Sequence, residues 1–126
     1  MTDPQDTGRE RVGFVGSRGF KDMELVRERV RRLRPGDVVV SGGARGVDSV
    51  AEQEAARLGL ATSIHRVTPD QWRESKLAGK NRNWPLAWVC TRLEAFWDGT
   101  SNGTAHCIAA AVRALRPVEI WMEGDS

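Results

Sequence analysis

Two hydrophobic patterns alternate along this chain. Short apolar runs, typical of parallel strands buried on both faces, occupy residues 12–15, 37–40, 61–67, 92–97 and 118–122. Between them, apolar residues recur every three or four positions, as in helices packed on one side, at 22–33, 47–58 and 104–115. Shorter helical pieces are predicted at 71–76 and from 83 to 89. The pattern therefore predicts an α/β protein.

Strands that alternate with helices imply right-handed crossovers and a mainly parallel sheet. We predict one Rossmann-like domain over residues 11–126, with about five strands and helices on both faces, preceded by a disordered tail at residues 1–10. If the strand order is 3-2-1-4-5, the order reverses between the first and fourth strands. Ligands bind at such a reversal, outside the carboxyl ends of the strands.

Glycine-bearing loops follow three of the predicted strands, at residues 16–20, 41–48 and 99–104. Glycine lets backbone N–H groups approach a ligand closely, and the helix that follows points its positive end at the same place. Arg18 and Arg45 stand in two of these loops and suit bidentate contact with phosphate. Because the three strands are neighbours in the predicted order, we expect one pocket for a phosphate-bearing ligand.

Each candidate residue also has a structural interpretation. Arg45 binds phosphate or carboxylate, or is solvated, and Asp48 contacts ligand or caps the second helix. Arg82 and Asn83 reach the pocket, or they form a salt-bridged and capped helix start. The full set of predicted ligand-binding residues is Ser17, Arg18, Gly42, Gly43, Arg45, Gly46, Asp48, Arg82, Asn83, Gly103 and Thr104.

Several other classes of protein are disfavoured by composition. The net charge is only +2, which does not require a nucleic-acid partner. Two cysteines and two histidines without zinc-ligand spacing predict no metal site and free thiols, and no cofactor is predicted. The glycine spacings match neither a dinucleotide fingerprint nor a P-loop. The polar amino terminus and the lack of a long apolar stretch predict a cytoplasmic protein with no membrane contact. Most of the five tryptophans should lie in the core.

Four motifs in order, S-R-x-F, G-G-A-R-G-x-D, A-G-x-x-R-N and G-T, extend over roughly residues 12 to 121. This set resembles the YspA-like branch of the SLOG superfamily, Rossmann-like proteins related to cytokinin-activating phosphoribohydrolases and to the DNA-processing protein of natural transformation. The resemblance implies a pocket for nucleotides or derivatives such as ADP-ribose. It is compatible with a sensor, a carrier or an enzyme, and it implies no particular reaction.

The chain departs from the phosphoribohydrolases at their G-G-x-G-T-x-x-E motif, whose Glu is catalytic. Cys107 occupies that position here. An N-glycosidic hydrolase, the alternative function, would need Asp48 or Asp98 to supply the missing carboxylate.

Binding of single-stranded nucleic acid, by analogy to the DNA-processing relative, is a further alternative. It is disfavoured because the arginines of the first helix alternate with glutamates as on an ordinary solvated face. The resemblance also implies assembly through helices. The apolar residues 108–112 fit a shared face of a homo-oligomer or an internal helix covered on both sides.

Overall fold

The computed structural model describes residues 10–65 and 89–124. Its five strands, all parallel, form one sheet in the order β3-β2-β1-β4-β5. This confirms the Rossmann-like α/β class of a small single domain, and the order is the one considered for the position of the ligand site. The strands are β1 (Arg11–Gly16), β2 (Val38–Ser41), β3 (Ala61–Ile64), β4 (Arg92–Phe96) and β5 (Val118–Trp121), and the helices of the described part are α1 (Met23–Arg31), α2 (Val47–Arg57) and α3 (Asn102–Arg113).

Helices cover both faces of the sheet. Since neighbouring residues of a strand point to opposite sides, each strand contributes apolar side chains to both faces. Val12 and Phe14 of β1 share one buried cluster with apolar residues of α1 and α2. Val15, on the opposite face, packs in a second cluster with Cys107 of α3. The two clusters hold the carboxyl ends of β2, β1 and β4 in register, which fixes where the following loops begin.

Element boundaries follow the sequence pattern to within a few residues. Asp22 caps α1 as predicted, accepting a hydrogen bond from the Leu25 amide at 3.2 Å. Asp37, predicted in the second strand, lies just before it, because its buried carboxylate accepts from the amides of Glu10 and Arg34, each at 2.9 Å. The third helix begins at Asn102, two residues earlier than the pattern indicates.

Glu10 was assigned to the disordered tail, yet its backbone and side chain both make contacts, the latter with Arg92 at 3.0 Å. Several predictions concern residues outside the described ranges. They are the rest of that tail, the helical piece at 71–76, the helix start at Asn83, and the ligand-binding candidates Arg82 and Asn83. Within the part of the chain that is described, no helix has the length and apolar character needed to cross a membrane.

The contacts of Arg29 contradict the interpretation of α1 as an ordinary solvated face. Arg29 reaches the fully buried carboxylate of Glu94 with two hydrogen bonds, at 3.1 and 3.0 Å, and its guanidinium lies 4.7 Å from the centre of the Trp121 ring. The Trp121 indole N–H also donates to Glu94, at 2.7 Å. Trp121 is half-buried, packs against the apolar residues of the first core cluster, and joins α1 to the edge of the sheet.

Candidate ligand site at the reversal of strand order

Two loops flank the point where the order of the sheet reverses, between β1 and β4, and a third follows the neighbouring strand β2. We call residues 17–22 the β1 loop, residues 42–46 the β2 loop and residues 97–101 the β4 loop. Since β2, β1 and β4 are adjacent and parallel, the three loops leave the same edge of the sheet. Open α/β sheets bind ligands at this position.

The β1 strand packs directly on the first residue of α2, because Gly16 has no side chain. A Cβ built on Gly16 would lie only 2.3 Å from Cγ2 of Val47. No other residue type fits this contact without a backbone shift. The start of α2, and with it the β2 loop, is therefore held against the end of β1.

Ser17 connects the β1 loop to the β4 loop and to α3. Its hydroxyl is buried, lies 3.1 Å from the hydroxyl of Thr104, and accepts a hydrogen bond from the Asp98 amide at 3.1 Å. The Ser17 amide donates to the Phe96 carbonyl at 2.9 Å. The structure thus brings the predicted residues Ser17 and Thr104 together, in contact with each other.

The β2 loop takes its shape from glycine and from Asp48. Gly43 and Gly46 have φ angles of 71° and 82°, in the left-handed region that favours glycine. Asp48 is buried, and its Oδ2 accepts from the amides of Gly42, at 2.8 Å, and Ala44, at 3.3 Å. This carboxylate therefore stabilises the conformation of the loop. Gly46 is the N-cap residue of α2, and no side chain forms a capping hydrogen bond there.

Two exposed arginines flank this edge, Arg18 on the β1 loop and Arg45 on the β2 loop. Over residues 10–65 and 89–124, neither guanidinium forms an ion pair, and Arg45 does not pair with Asp48. Arg29 and Arg57, by contrast, each pair with a glutamate. The loops therefore present positive charge that the described acids do not neutralise.

Asp98, a predicted catalytic candidate, organises the β4 loop. Its Oδ1 accepts from the amides of Thr100, at 2.9 Å, and Ser101, at 2.7 Å, and from the Thr100 hydroxyl at 3.3 Å. The hydrogen bond from the Thr100 amide is the largest of several that lower the pKa of Asp98 below its ordinary value. This carboxylate therefore stays ionised at neutral pH.

Cys107, at the position that the resemblance gives to a catalytic Glu, lies inside the protein. Cys107 is 2% exposed and packs against the sheet in the second core cluster. Gly103, one turn earlier, borders open space, because a Cβ built there would meet nothing within 4 Å. In the described residues, no three histidine, cysteine or acidic side chains form a group able to hold a metal ion.

Sequence reasoning missed two acids that shape the loops. Glu52 accepts a hydrogen bond from the Ser41 hydroxyl at the end of β2, and Glu123 accepts from the Lys21 amide of the β1 loop. Glu52 lies one turn beyond Asp48 on α2. A pair of acids at positions i and i+4 directly after a glycine loop is therefore a pattern in the sequence from which Glu52 could have been identified. Glu123 is 102 residues from Lys21, and no local pattern predicts that contact.

Fold and site together define a small, single-domain Rossmann-like protein with a glycine-loop edge at the strand reversal. The chain is 38% identical over 121 residues to the Gene 61 protein of Mycobacterium phage D29, a match that covers 86% of this chain and 93% of that protein. The chain belongs to the family of that phage protein. No family model and no solved structure matches it.

Proposed function

We propose that this protein binds a nucleotide or a nucleotide derivative, either ADP-ribose-like or a nucleoside phosphate, at the glycine-loop edge. The observation that supports this most directly is that three glycine loops leave the same edge of the sheet, at and beside the strand reversal, and that Arg18 and Arg45 on two of them pair with no acid of the described residues. Backbone amides at helix starts and unneutralised guanidinium groups are the donors that phosphate requires. The motif resemblance to the SLOG superfamily supports the same ligand class.

The phosphate belongs on the β2-loop side of the site. Arg45 lies between Gly43 and Gly46. The left-handed conformation of these two glycines lets the backbone of the loop approach a ligand closely. Asp48 already accepts from the Gly42 and Ala44 amides, so these two donors serve the loop itself. The charge of Arg45 and the first amides of α2 then provide the main attraction for phosphate.

We rank binding above N-glycosidic cleavage. Cleavage needs a carboxylate aimed at the sugar carbon, and Cys107 at the expected position is buried in the core. Asp48 is bound to the amides of its own loop. Nucleic-acid binding ranks lower still, because Arg29 and Arg31 of α1 pair with acids instead of forming a free basic groove.

The first experiment is isothermal titration calorimetry of the purified protein with ADP-ribose, NAD, AMP and GMP. We expect saturable binding of at least one of them. The proposal fails if none binds at millimolar concentration. Release of free base from a nucleoside monophosphate, abolished by Asp48→Asn, would instead place the hydrolase first.

Arg45→Ala tests the phosphate contact. A hydrogen bond to a charged group is worth roughly 1.5–3 kcal/mol, so the variant should bind a phosphorylated ligand about tenfold to a hundredfold more weakly. Binding of the matching nucleoside should change little, and so should the melting temperature, because Arg45 has no ion pair to lose among the described residues. Arg32→Ala, which removes the exposed arginine at the C-cap of α1, is the control. Equal losses for nucleotide and nucleoside would contradict the assignment of Arg45 to phosphate.

A further inference from the structure

The two oxygens of Asp98 have different surroundings. Oδ1 accepts the hydrogen bonds of the Thr100 and Ser101 amides and of the Thr100 hydroxyl. Oδ2 faces the β1 loop across the strand reversal, where a Cβ built on Gly19 would lie 3.4 Å from it. One oxygen therefore holds the β4 loop, and the other faces the β1 loop.

Glycine at position 19 leaves the space in front of Oδ2 free of a side chain. A Cβ there would already be in ordinary van der Waals contact with Oδ2, at 3.4 Å, so any larger side chain pointing the same way would cover this oxygen. The nearby Ser17 hydroxyl is bonded to Thr104, accepts from the Asp98 amide, and is also among the groups whose hydrogen bonds lower the pKa of Asp98. Asp98 Oδ2 is thus the carboxylate oxygen that faces the β1 loop.

The charge of Asp98 decides what that molecule presents. Arg18 stands next to Gly19 but makes no ion pair with Asp98, so the carboxylate charge is not cancelled by it. Hydrogen bonds from the loop lower the pKa of Asp98, which keeps it ionised. An ionised carboxylate repels phosphate at close range and accepts from hydroxyl or amino groups.

We propose that Asp98 determines ligand specificity by accepting a hydrogen bond from a ribose hydroxyl at Oδ2, while the phosphate lies on the β2-loop side near Arg45. This inference rests on the proposed function and names the ligand class more narrowly: a phosphate carrying ribose with free hydroxyls, not a deoxy sugar. It also assigns the strand reversal to the sugar and the neighbouring loop to the phosphate. Asp98 is then a binding residue and not a catalytic one.

The test compares AMP with 2′,3′-dideoxyadenosine monophosphate by calorimetry. A hydroxyl bonded to a charged acceptor should make wild-type protein prefer AMP by about tenfold to a hundredfold. Asp98→Asn should remove most of that preference by weakening AMP alone, and the dideoxy compound should bind as before. Glu28→Gln, which removes an exposed carboxylate of α1, should leave both affinities unchanged.

A second variant separates direct contact from support of the loop. Thr100→Val removes the hydroxyl that donates to Oδ1 but leaves Oδ2 in place, so it should preserve the preference for AMP. Equal weakening of both nucleotides by Asp98→Asn would mean that Asp98 only holds the loop, and the inference would be wrong. Tighter binding of both nucleotides by Asp98→Asn would place the phosphate beside Asp98 and overturn it as well. If neither nucleotide nor ADP-ribose binds wild-type protein, the proposed function itself fails.

Discussion

Single glycines set the distances on which the site depends. The loops after β1, β2 and β4 could be predicted as glycine-rich turns, because their residue types are visible in the sequence. That Gly16 contacts Val47 could not be predicted, because the two residues are 31 positions apart and meet only through the packing of α2 on β1. The same glycine that sequence reasoning assigned to ligand approach is used for contact between a strand and a helix.

Gly16→Ala should therefore destabilise the protein. Its new methyl group would overlap Val47, and forcing an extra carbon into a packed contact costs about 1–3 kcal/mol. Gly103→Ala is the matched control, since its methyl group meets nothing within 4 Å and lies in the first turn of α3. We expect its melting temperature to equal or exceed that of wild type. Equal losses from the two changes, measured by thermal unfolding, would contradict the packing argument.

The elements α1, β4 and β5 are joined by one buried charge. Glu94 lies in the middle of an apolar strand, where the pattern indicates burial but gives no partner. Its partners are Arg29, 65 residues away, Arg92 and Trp121. Burial alone would raise the pKa of Glu94, but hydrogen bonds from these three side chains outweigh that effect and lower it. Local periodicity predicts each element, whereas the charge that connects them follows from the topology.

Glu94→Gln should loosen this junction strongly. The change removes the acid that pairs with Arg29 and leaves Arg92 paired with Glu10 alone, and breaking a buried ion pair by removing one member costs about 3–5 kcal/mol. Glu28→Gln breaks only an exposed pair with Arg32 on the same helix, and its effect should stay within about 0.5 kcal/mol. Chemical denaturation of both variants measures the difference. A loss for Glu94→Gln no larger than that of the control would mean that the buried network contributes no stability.

At the scale of the whole molecule, a parallel sheet and the edge that carries the loops were predictable, because both follow from strand–helix alternation and from glycines at strand ends. Alternation alone does not fix the strand order, which depends on how the crossovers are packed. Homo-oligomer formation stays a prediction. Within residues 108–112, Ala110 and Ala111 are buried, whereas Val112 is 57% exposed on the outer side of α3. A light-scattering mass of 14.0 kDa would contradict a stable oligomer under the conditions of the measurement.

The acid stability of the whole domain should depend on Glu54 of α2, whose side chain pairs with Arg31 of α1. Its carboxylate accepts hydrogen bonds from Arg57 and from Arg31, at 2.9 Å for the latter. The bond from Arg57 is the largest cause that lowers the pKa of Glu54 from 4.5 to about 2. Because the pKa is depressed in the folded state, the charged form stabilises the protein fully above pH 4.5, and this contribution is lost as the pH falls toward about 2.

Glu54→Gln should thus unfold at a lower temperature than wild type above pH 4.5, and the difference between the two proteins should shrink to nearly nothing near pH 2. Other acids, among them Glu94 and Asp98, also titrate as the pH falls, but they are common to both proteins and cancel in the difference. Thermal unfolding followed across this range measures it, with Glu28→Gln as the control for loss of one carboxylate. A difference that stays constant across the range would mean that Glu54 stabilises the helix pair by packing and not by its charge.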